Sequence, residues 1–291
     1  MASPRLQSDA ERVDRVLASL LPAEAEPPEE LHQAMRYSCL APGKRLRPAL
    51  CLASARAVDG DDEAVLPAAC AIEMVHAFSL IHDDLPALDD DDFRRGRPTC
   101  HKVFGEAVAI LAGDALFALA FETIAQVEST AERRLSALAE LASQSGTKGV
   151  VGGEVLDILA EGTDSSEAQI RRIHELKTAS LMAGSCAIGA TLGGGEMRDV
   201  ELLREFGREI GLAFQIVDDL LDETAASEVI GKPAGSDRRH GKATYPRLYG
   251  VEGAREEAER HTRKALESLG MLAGDTSSLR DLADFAVRRD R

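Results

Sequence analysis

Two clusters of aspartates stand out as groups that could do chemistry together. The first combines Asp83-Asp84 with a run from Asp89 to Asp92, and the second is Asp218-Asp219-Leu-Leu-Asp222. Asp218 and Asp222 lie one helical turn apart, and like charges at that spacing repel unless a cation neutralises them. Carboxylate oxygens are hard ligands suited to Mg²⁺, which keeps several waters and bridges to substrate phosphates. The clusters therefore predict a magnesium-dependent reaction of a phosphorylated substrate.

The alternative interpretation of an acidic run is a solvated helix face, which is its usual role. Here the stretches that precede the two clusters, 76–81 and 211–217, are apolar, which indicates carboxylates at the end of a buried helix. No Lys or Arg lies three or four residues from Asp218 or Asp219 to pair with it. These observations favour the metal site over the solvated face.

The first cluster needs a break in its helix. An ideal helix would hold Asp83 and Asp89 on different faces, but Pro86 lies between them and breaks or kinks the helix. A distorted turn there would bring Asp89 back toward Asp83. An EF-hand is excluded because, counted from Asp89, its sixth position would be Arg94 instead of Gly and its twelfth Cys100 instead of Glu.

Basic residues gather in a few short segments between these acids. The chain has only seven lysines, and four of them lie in these segments. Arg and Lys beside carboxylates that bind Mg²⁺ predict sites for two anionic groups, as reactions of diphosphates require. The segments are Gly43-Lys-Arg-Leu-Arg-Pro48, Arg94-Arg-Gly-Arg-Pro98, Lys177-Thr178, and Lys232 with Lys242 in a glycine-rich stretch.

Helices must position these groups, because apolar residues recur at helical spacing and sustained period-2 alternation is absent. Glycine and proline breaks cut the chain into about ten helices, with no linker of domain-boundary character. The sequence predicts one all-α domain over residues 1–291, without a sheet. The clearest helical stretches are 107–124, 133–141, 170–188 and 200–221, and breaks fall at 42–43, 59–60, 96–98, 162–164, 193–195 and 231–241.

The composition excludes several classes of partner. The chain has 50 Asp and Glu against 34 Lys and Arg, a net charge of −16, and no Trp, which argues against binding nucleic acid or an anionic membrane. Five scattered cysteines without a CxxC pair indicate reduced thiols. Without a leader-like N-terminus or a run of 18 apolar residues, the sequence predicts a cytoplasmic protein that does not span a membrane.

In their order along the chain, these motifs resemble those of the trans-isoprenyl diphosphate synthases. The segments 79–101 and 211–222 resemble the two aspartate-rich motifs of that family, and 43–48, 177–178 and 231–246 match its other motifs. The resemblance extends from about residue 35 to the C-terminus. On these motifs the chain is identified as a member of the family and is most similar to bacterial farnesyl diphosphate synthases.

The resemblance implies a bundle of mostly antiparallel helices around a central cavity, assembled as a homodimer. The implied reaction is head-to-tail prenyl transfer, which joins isopentenyl diphosphate to dimethylallyl and then geranyl diphosphate. It also implies three Mg²⁺ per active site, two held by Asp83 and Asp89 and one by Asp218. Asp84, Asp219, Asp222 and Asp237 are implied as further or water-mediated ligands, and the expected catalytic set is Asp83, Asp84, Asp89, Lys177, Asp218 and Asp219.

The resemblance also implies two diphosphate sites. The departing allylic diphosphate gains negative charge as its C–O bond breaks, and cations that face it stabilise that charge. His76 lies two helical turns before Asp83, on the same face, although a core histidine is the alternative. The family pattern assigns isopentenyl diphosphate to Lys44, Arg47, His76 and Arg95, and the allylic diphosphate to Arg94, Lys177, Thr178, Gln215, Lys232 and Lys242.

In the family, residues just before the first aspartate motif set product length, and here they are Phe78 and Ser79. The aromatic at Phe78 predicts farnesyl diphosphate as the product, with geranylgeranyl diphosphate as the alternative on the same scaffold. The sequence departs from the family pattern at Glu154, where Gln is common, whereas Asp157 matches it.

Two other classes of function are alternatives. A terpene cyclase also ionises prenyl diphosphates, but its second metal motif requires residues that Asp222 and Ala226 do not provide, and the chain has no Asn. A non-enzymatic acidic helical protein that binds divalent cations is disfavoured because both aspartate motifs occur together with the basic ones.

Overall fold

The computed structural model describes residues 4–224 and 244–288, so the predicted break at 231–241 lies outside them. The described residues are almost entirely helical, which confirms the predicted all-α fold. Helix α9 continues into a π-helical segment, Glu175–Ala179, before α10 begins. The helices are α1 (Pro4–Leu20), α2 (Glu29–Cys39), α3 (Leu46–Ala57), α4 (Asp62–Asp83), α5 (Cys100–Phe104), α6 (Glu106–Ala125), α7 (Ala131–Ser145), α8 (Val150–Ala160), α9 (Glu167–His174), α10 (Ser180–Gly193), α11 (Met197–Thr224), α12 (Tyr245–Leu269) and α13 (Ser277–Val287).

Helix α4 lies at the centre of the packing. Its apolar residues occur all round the helix and pack against α1, α2, α3, α6 and α10, as a helix without a polar face requires. A second core joins α3 and α10 to α11, α12 and α13. Between α11 and α12, the buried side chains of Glu209 and His261 contact each other at 2.6 Å. The aspartate clusters therefore extend from two of the best-packed helices, α4 and α11.

By length and hydropathy alone, two of the described helices could cross a membrane. Both α4 and α6 contain an 18-residue window with a mean hydropathy of 1.8. The core explains α4, since 72% of its window is buried, but only 39% of the α6 window is buried. Leu111 on α6, for example, is 58% exposed. The sequence prediction considered only an uninterrupted run of 18 apolar residues. Neither helix contains such a run, because both carry a few scattered charges.

One short hairpin corrects the prediction that there is no sheet. Strands β1 (Phe93–Arg94) and β2 (Arg97–Pro98) pair antiparallel, with Phe93 opposite Pro98. The turn residues Arg95 and Gly96 both have positive φ, 53° and 74°, as a two-residue type I′ hairpin turn requires. Strands of two residues are too short to show alternation, so the sequence pattern could not reveal them.

Candidate active site

The first aspartate cluster forms the distorted turn that the sequence predicts. Helix α4 ends at Asp83, three residues before Pro86, and the backbone N–H of Asp89 donates to the carbonyl of Asp83 at 2.9 Å. Burial raises the pKa of the Asp83 carboxyl, and Asp89 and Asp84 raise it further, against the opposing charges of Lys177 and Arg94. Asp83 and Asp89 therefore form a partly buried pair of like charges that a divalent cation would stabilise.

Asp84 points away from this pair. Its side chain is buried and accepts a hydrogen bond from Nε of Arg94 at 2.6 Å. Arg94 also contacts Asp91, at 3.4 Å. In this arrangement Asp84 fixes Arg94, so its predicted role as a further metal ligand competes with that pair.

The second cluster divides in the same way on α11. Asp218 is exposed, and Asp222 lies one turn further on the same face. Asp219 is buried instead, and its oxygens accept hydrogen bonds from the Gln215 side chain at 3.0 Å and from the backbone N–H of Tyr245 at 3.2 Å. Its predicted role as a metal ligand thus competes with two protein donors.

Gln215 links this cluster to the π-helical segment. Thr178 donates a hydrogen bond from its hydroxyl to the Gln215 carbonyl oxygen at 2.7 Å, and Gln215 donates onward to Asp219. His174 lies beside them, with Nε2 3.4 Å from Oδ2 of Asp219, and its ring stacks on Tyr245. Thr178 and Gln215, both predicted to bind the allylic diphosphate, are therefore neighbours.

Lys177 is presented by the same segment. Its Nζ lies 2.7 Å from a carboxylate oxygen of Glu154 and 2.7 Å from one of Asp157, both on α8. Only glycine allows this approach, because a Cβ on Gly153 would lie 2.2 Å from the backbone nitrogen of Lys177.

The charges around Lys177 are strongly coupled. Burial alone would lower the pKa of Lys177, but Asp157, Asp83 and Glu154 outweigh it and hold the pKa above its ordinary value. The ammonium therefore stays charged. Burial, with Asp83, raises the pKa of Glu154 to about 7. Lys177 and Asp83 thus lie near enough for their charges to affect each other's pKa, which gives the first aspartate cluster a nearby cation.

A second basic group surrounds a neighbouring cavity of about 500 Å³. Nη1 of Arg47 lies 3.3 Å from Nε2 of His76, and Arg95 donates to the carbonyl of Pro42 at 2.9 Å. Lys44 completes the set, with Nζ 5.4 Å above the ring centroid of Phe285. The cavity is lined by all four residues predicted to bind isopentenyl diphosphate: Lys44, Arg47, His76 and Arg95.

His76 in this group is neutral at pH 7. Burial lowers the pKa of His76 well below its ordinary value, and the positive charges of Arg47, Arg95, Arg94 and Arg45 lower it further. The imidazole can therefore donate one hydrogen bond to a phosphate and accept another without adding charge.

The two residues predicted to set product length face different neighbours. The ring of Phe78 is buried, and its centroid lies 4.8 Å from that of Phe117 on α6 and 4.8 Å from that of His82. The ring centroids of Phe117 and Phe121, both on α6, lie 5.0 Å apart. The three phenylalanine rings thus form a row that connects α4 to α6. Ser79 donates its hydroxyl to the carbonyl of His76 at 2.9 Å.

The donor set fits Mg²⁺. Among the residues that the structure describes, no three His, Cys, Asp or Glu side chains form a ready-made ligand cage. Mg²⁺ does not need one, because it keeps waters and uses substrate phosphates beside one or two carboxylates. Asp83 and Asp89 supply such oxygens from the end of α4, and Asp218 with Asp222 from α11. The predicted residues Lys232, Asp237 and Lys242 lie outside the described residues.

Four residues near the site were missed by the sequence analysis. Glu73 and Arg45 form a buried ion pair at the wall of the 500 Å³ cavity. His174 and the backbone of Tyr245 contact Asp219. Signals existed for three of them, because Arg45 and Tyr245 lie within the motif segments 43–48 and 231–246, and Glu73 is a single acid within the apolar stretch 65–81 of α4.

Comparison with named proteins places these motifs in a family. Residues 28–276 match the family model described as Polyprenyl synthetase. The chain is 47% identical to heterodimeric geranylgeranyl pyrophosphate synthase large subunit 2 of Arabidopsis thaliana. The alignment covers 99% of this chain and 77% of that relative. It is 51% identical to the chloroplastic geranylgeranyl pyrophosphate synthase of Capsicum annuum, in an alignment that covers 90% of this chain and 72% of that relative.

Solved structures agree in fold along nearly the whole chain. The FPP/GFPP synthase from Zymomonas mobilis superposes with a TM-score of 0.87 at 38% identity, over 97% of this chain and 98% of that one. The Helicobacter pylori geranyltransferase complexed with magnesium and isoprenyl diphosphate superposes with a TM-score of 0.83 at 31% identity, over 99% of this chain and 97% of that one. Motifs, fold and relatives agree: the chain belongs to the polyprenyl synthetase family and is a trans-isoprenyl diphosphate synthase.

Proposed function

We propose that this chain is a geranylgeranyl diphosphate synthase, which extends allylic diphosphates with isopentenyl diphosphate up to twenty carbons. The electrostatic interaction of Lys177 with Asp83 and the cavity lined by Lys44, Arg47 and His76 support two diphosphate sites. The names of the Arabidopsis and Capsicum relatives favour the twenty-carbon product. The farnesyl product expected from Phe78 is thus less well supported than its alternative.

The chemistry assigned to the residues follows from their charges. Lys177 neutralises the allylic diphosphate as its C–O bond breaks and the electron pair leaves with the diphosphate. Apolar walls exclude water from the allylic cation that remains. The double bond of isopentenyl diphosphate, held by Lys44, Arg47, His76 and Arg95, attacks that cation. The released diphosphate takes the proton that is then lost, so no side-chain base is needed.

Magnesium ions would be held by Asp83 and Asp89 on one side and by Asp218, with Asp222, on the other. We propose three ions per active site, as the family resemblance implies. When bound, Mg²⁺ would supply positive charge where the diphosphate gains negative charge. The Helicobacter pylori neighbour was crystallised with magnesium and isoprenyl diphosphate, which supports this use of the metal.

A farnesyl diphosphate synthase is the second candidate. The observation that favours it is the contact of the Phe78 and Phe117 rings, tilted by 49° to each other, between α4 and α6 before the first aspartate cluster. If these rings form the floor of the elongation cavity, they stop the chain early.

Product analysis tests both candidates. The protein is incubated with Mg²⁺, isopentenyl diphosphate and either dimethylallyl or farnesyl diphosphate, and the dephosphorylated products are chromatographed. Mainly twenty-carbon product is expected from both starters. Accumulation of fifteen-carbon product, with farnesyl diphosphate left unused, would establish the second candidate. No condensation at all in the presence of Mg²⁺ would refute the proposed activity.

We also propose a homodimer, as the resemblance implies, with residues 1–291 as one domain in each subunit. The exposed apolar side chains of α6 and α8 support this assembly, since large exposed apolar patches mark interaction surfaces. They include Ile110, Leu111, Val155 and Leu159. The cytoplasmic location stays a prediction.

A further inference from the structure

Arg45 has an unusual backbone conformation at the entrance to α3. Its φ of 47° and ψ of 38° are left-handed, a region that a residue with a Cβ adopts at a cost and that Gly adopts freely. Its carbonyl nevertheless accepts the first helical hydrogen bond, from the N–H of Ala49 at 3.0 Å. Something other than backbone preference must hold this conformation.

The Arg45 side chain is anchored on three sides. It is only 3% exposed, and its Nη1 lies 2.6 Å from a carboxylate oxygen of Glu73 on α4. Its Nε donates to Asp14 on α1 at 2.7 Å, and its Nη2 donates to the carbonyl of Ala41 after α2 at 2.9 Å. The planar guanidinium thus ties one residue to three separate elements.

This anchor lies between two of the residues assigned to isopentenyl diphosphate. Lys44 precedes the left-handed turn and Arg47 follows it in the first turn of α3, yet both line the same cavity. Glu73 lies one turn before His76 on α4, and His76 contacts Arg47. The Arg45–Glu73 pair therefore fixes the start of α3, with Lys44 before it and Arg47 in its first turn, to the helix that carries His76.

We propose that Arg45 is a positioning residue for isopentenyl diphosphate, with Glu73 as its buried counter-charge. The proposal rests on the proposed function of the cavity. Arg45 acts through Lys44 and Arg47, which must converge on one diphosphate, and small misplacements of such groups are costly. Arg94, Lys177, Thr178 and Gln215, assigned to the allylic diphosphate, lie on β1, the π-helical segment and α11, none of which carries Arg45 or its three partners, so that site should depend less on Arg45.

The test separates positioning from simple stabilisation. Removing one partner of a buried ion pair leaves an unpaired charge and destabilises the fold, whereas replacing both by apolar residues is often neutral. Arg45→Met, Glu73→Met and the double variant are therefore compared by thermal unfolding and steady-state kinetics. We expect the single variants to unfold at lower temperature and the double variant to regain the wild-type Tm.

The kinetic expectation for the double variant is different. Its KM for isopentenyl diphosphate should stay raised by about tenfold or more, while its KM for the allylic diphosphate stays within about twofold. Arg45→Lys, which keeps the charge but cannot reach three acceptors at once, should show a smaller rise at nearly unchanged Tm.

Arg56→Met is the matched control. Arg56 lies at the other end of α3 and also joins α1 to α4, through Asp9 and Asp62. The Arg56→Met substitution should lower Tm without changing the KM for either diphosphate.

Three results would overturn the proposal. One is a KM for isopentenyl diphosphate that recovers together with Tm in the double variant, since Arg45 would then only stabilise the fold. Another is an equal rise in both KM values, which would indicate general damage to the site. If the wild-type protein does not condense isopentenyl diphosphate at all, the proposed function fails and this proposal fails with it. The first two results leave wild-type condensation intact, so the two failures are distinguishable.

Discussion

At the level of single residues, adjacent aspartates point in different directions and do different work. Successive residues on a helix are rotated by about 100°, so neighbours cannot share a face. Asp218 faces outward while Asp219 accepts hydrogen bonds inside the protein. At the end of α4, the charge of Lys177 acts on Asp83, whereas Asp84 accepts a hydrogen bond from Arg94. In each pair, the second carboxylate holds neighbouring protein groups, and the first is the one we assign to a cation.

Asp83→Asn tests the metal role directly. The substitution keeps the shape of the side chain but removes a negative charge from the pair with Asp89. We expect kcat to fall by about 10²–10³-fold, the loss typical of removing one group that stabilises transition-state charge. The Mg²⁺ concentration for half-maximal rate should also rise.

Asp92→Asn is the control for this substitution. Asp92 belongs to the same acidic run, but its side chain is 59% exposed and pairs with Lys102 at 2.8 Å. Its removal should change kcat by less than about twofold. Near-normal turnover of the Asp83→Asn enzyme would refute the metal assignment.

Glu154→Gln tests the departure from the family pattern. In the wild type, two carboxylates contact Lys177 and compete with a substrate diphosphate for its charge. With Gln at this position, we expect the KM for the allylic diphosphate to fall about threefold, a change of less than about 1 kcal/mol. Glu161→Gln, an exposed change just after α8, should have no such effect.

The difference in the KM for the allylic diphosphate between the wild type and the Glu154→Gln variant should depend on pH. Because the pKa of Glu154 is raised to about 7, the carboxyl is mostly neutral at lower pH and resembles Gln there. It ionises as the pH rises, so the two KM values should diverge between about pH 6 and about pH 8. A higher KM in the Gln variant at every pH would mean that the carboxylate orients Lys177 productively.

At the level of elements, the sequence pattern predicts the long helices well and the short irregular segments poorly. The predicted stretch 107–124 corresponds to α6 (Glu106–Ala125), because its apolar spacing is clear. The stretch 170–188 includes most of α9, the π-helical segment and most of α10, and its prediction as plain helix did not show the π-helical segment at Lys177. The hairpin at Arg95 is similarly invisible, since it depends on two residues with positive φ.

The candidate site was likewise predicted in part. The family resemblance of the motifs implies that Lys44, Arg47, His76 and Arg95 share one site, and all four line one cavity. The motifs did not reveal the role of Arg45, because that role depends on a left-handed backbone and on partners from α1 and α4 that are distant in sequence. Long-range pairs of this kind become visible only when the helices are packed.

Phe78→Ala tests how α4 and α6 limit the product. The substitution removes a ring that packs on Phe117 and opens space between these helices. We expect longer prenyl chains than the wild type makes, measured by chromatography of the products. The cavity should also lower stability by about 3–5 kcal/mol, so Tm is measured in parallel.

Phe104→Ala is the control, because Phe104 packs on Tyr37 at 5.5 Å and not in this row of aromatic rings. Its product distribution should equal that of the wild type. If Phe78→Ala also leaves the products unchanged, Phe78 is not part of the elongation floor.

At the level of the whole molecule, the negative charge and the exposed apolar surface have separate explanations. The net charge of −16 argues against nucleic acid or an anionic membrane as a partner. The aspartates of α4 and α11, however, belong to the site, where bound Mg²⁺ would make them attract a diphosphate. Partner choice therefore depends on the local arrangement of charge, whereas the apolar faces of α6 and α8 concern assembly.

Leu111→Glu tests the proposed homodimer. Leu111 is 58% exposed on α6, so the substitution should leave the fold of one subunit intact. In a dimer interface it would bury an unpaired carboxylate, at a cost of roughly 3–5 kcal/mol, which weakens association by about 10²–10³-fold. Light scattering during size-exclusion chromatography should therefore give twice the chain mass of 31.2 kDa for the wild type and a single chain mass for the variant. Met197→Glu, at an 81% exposed position on α11, should remain dimeric. A wild-type protein that elutes as a monomer, or a dimeric Leu111→Glu variant, would show that this face of α6 is not the interface.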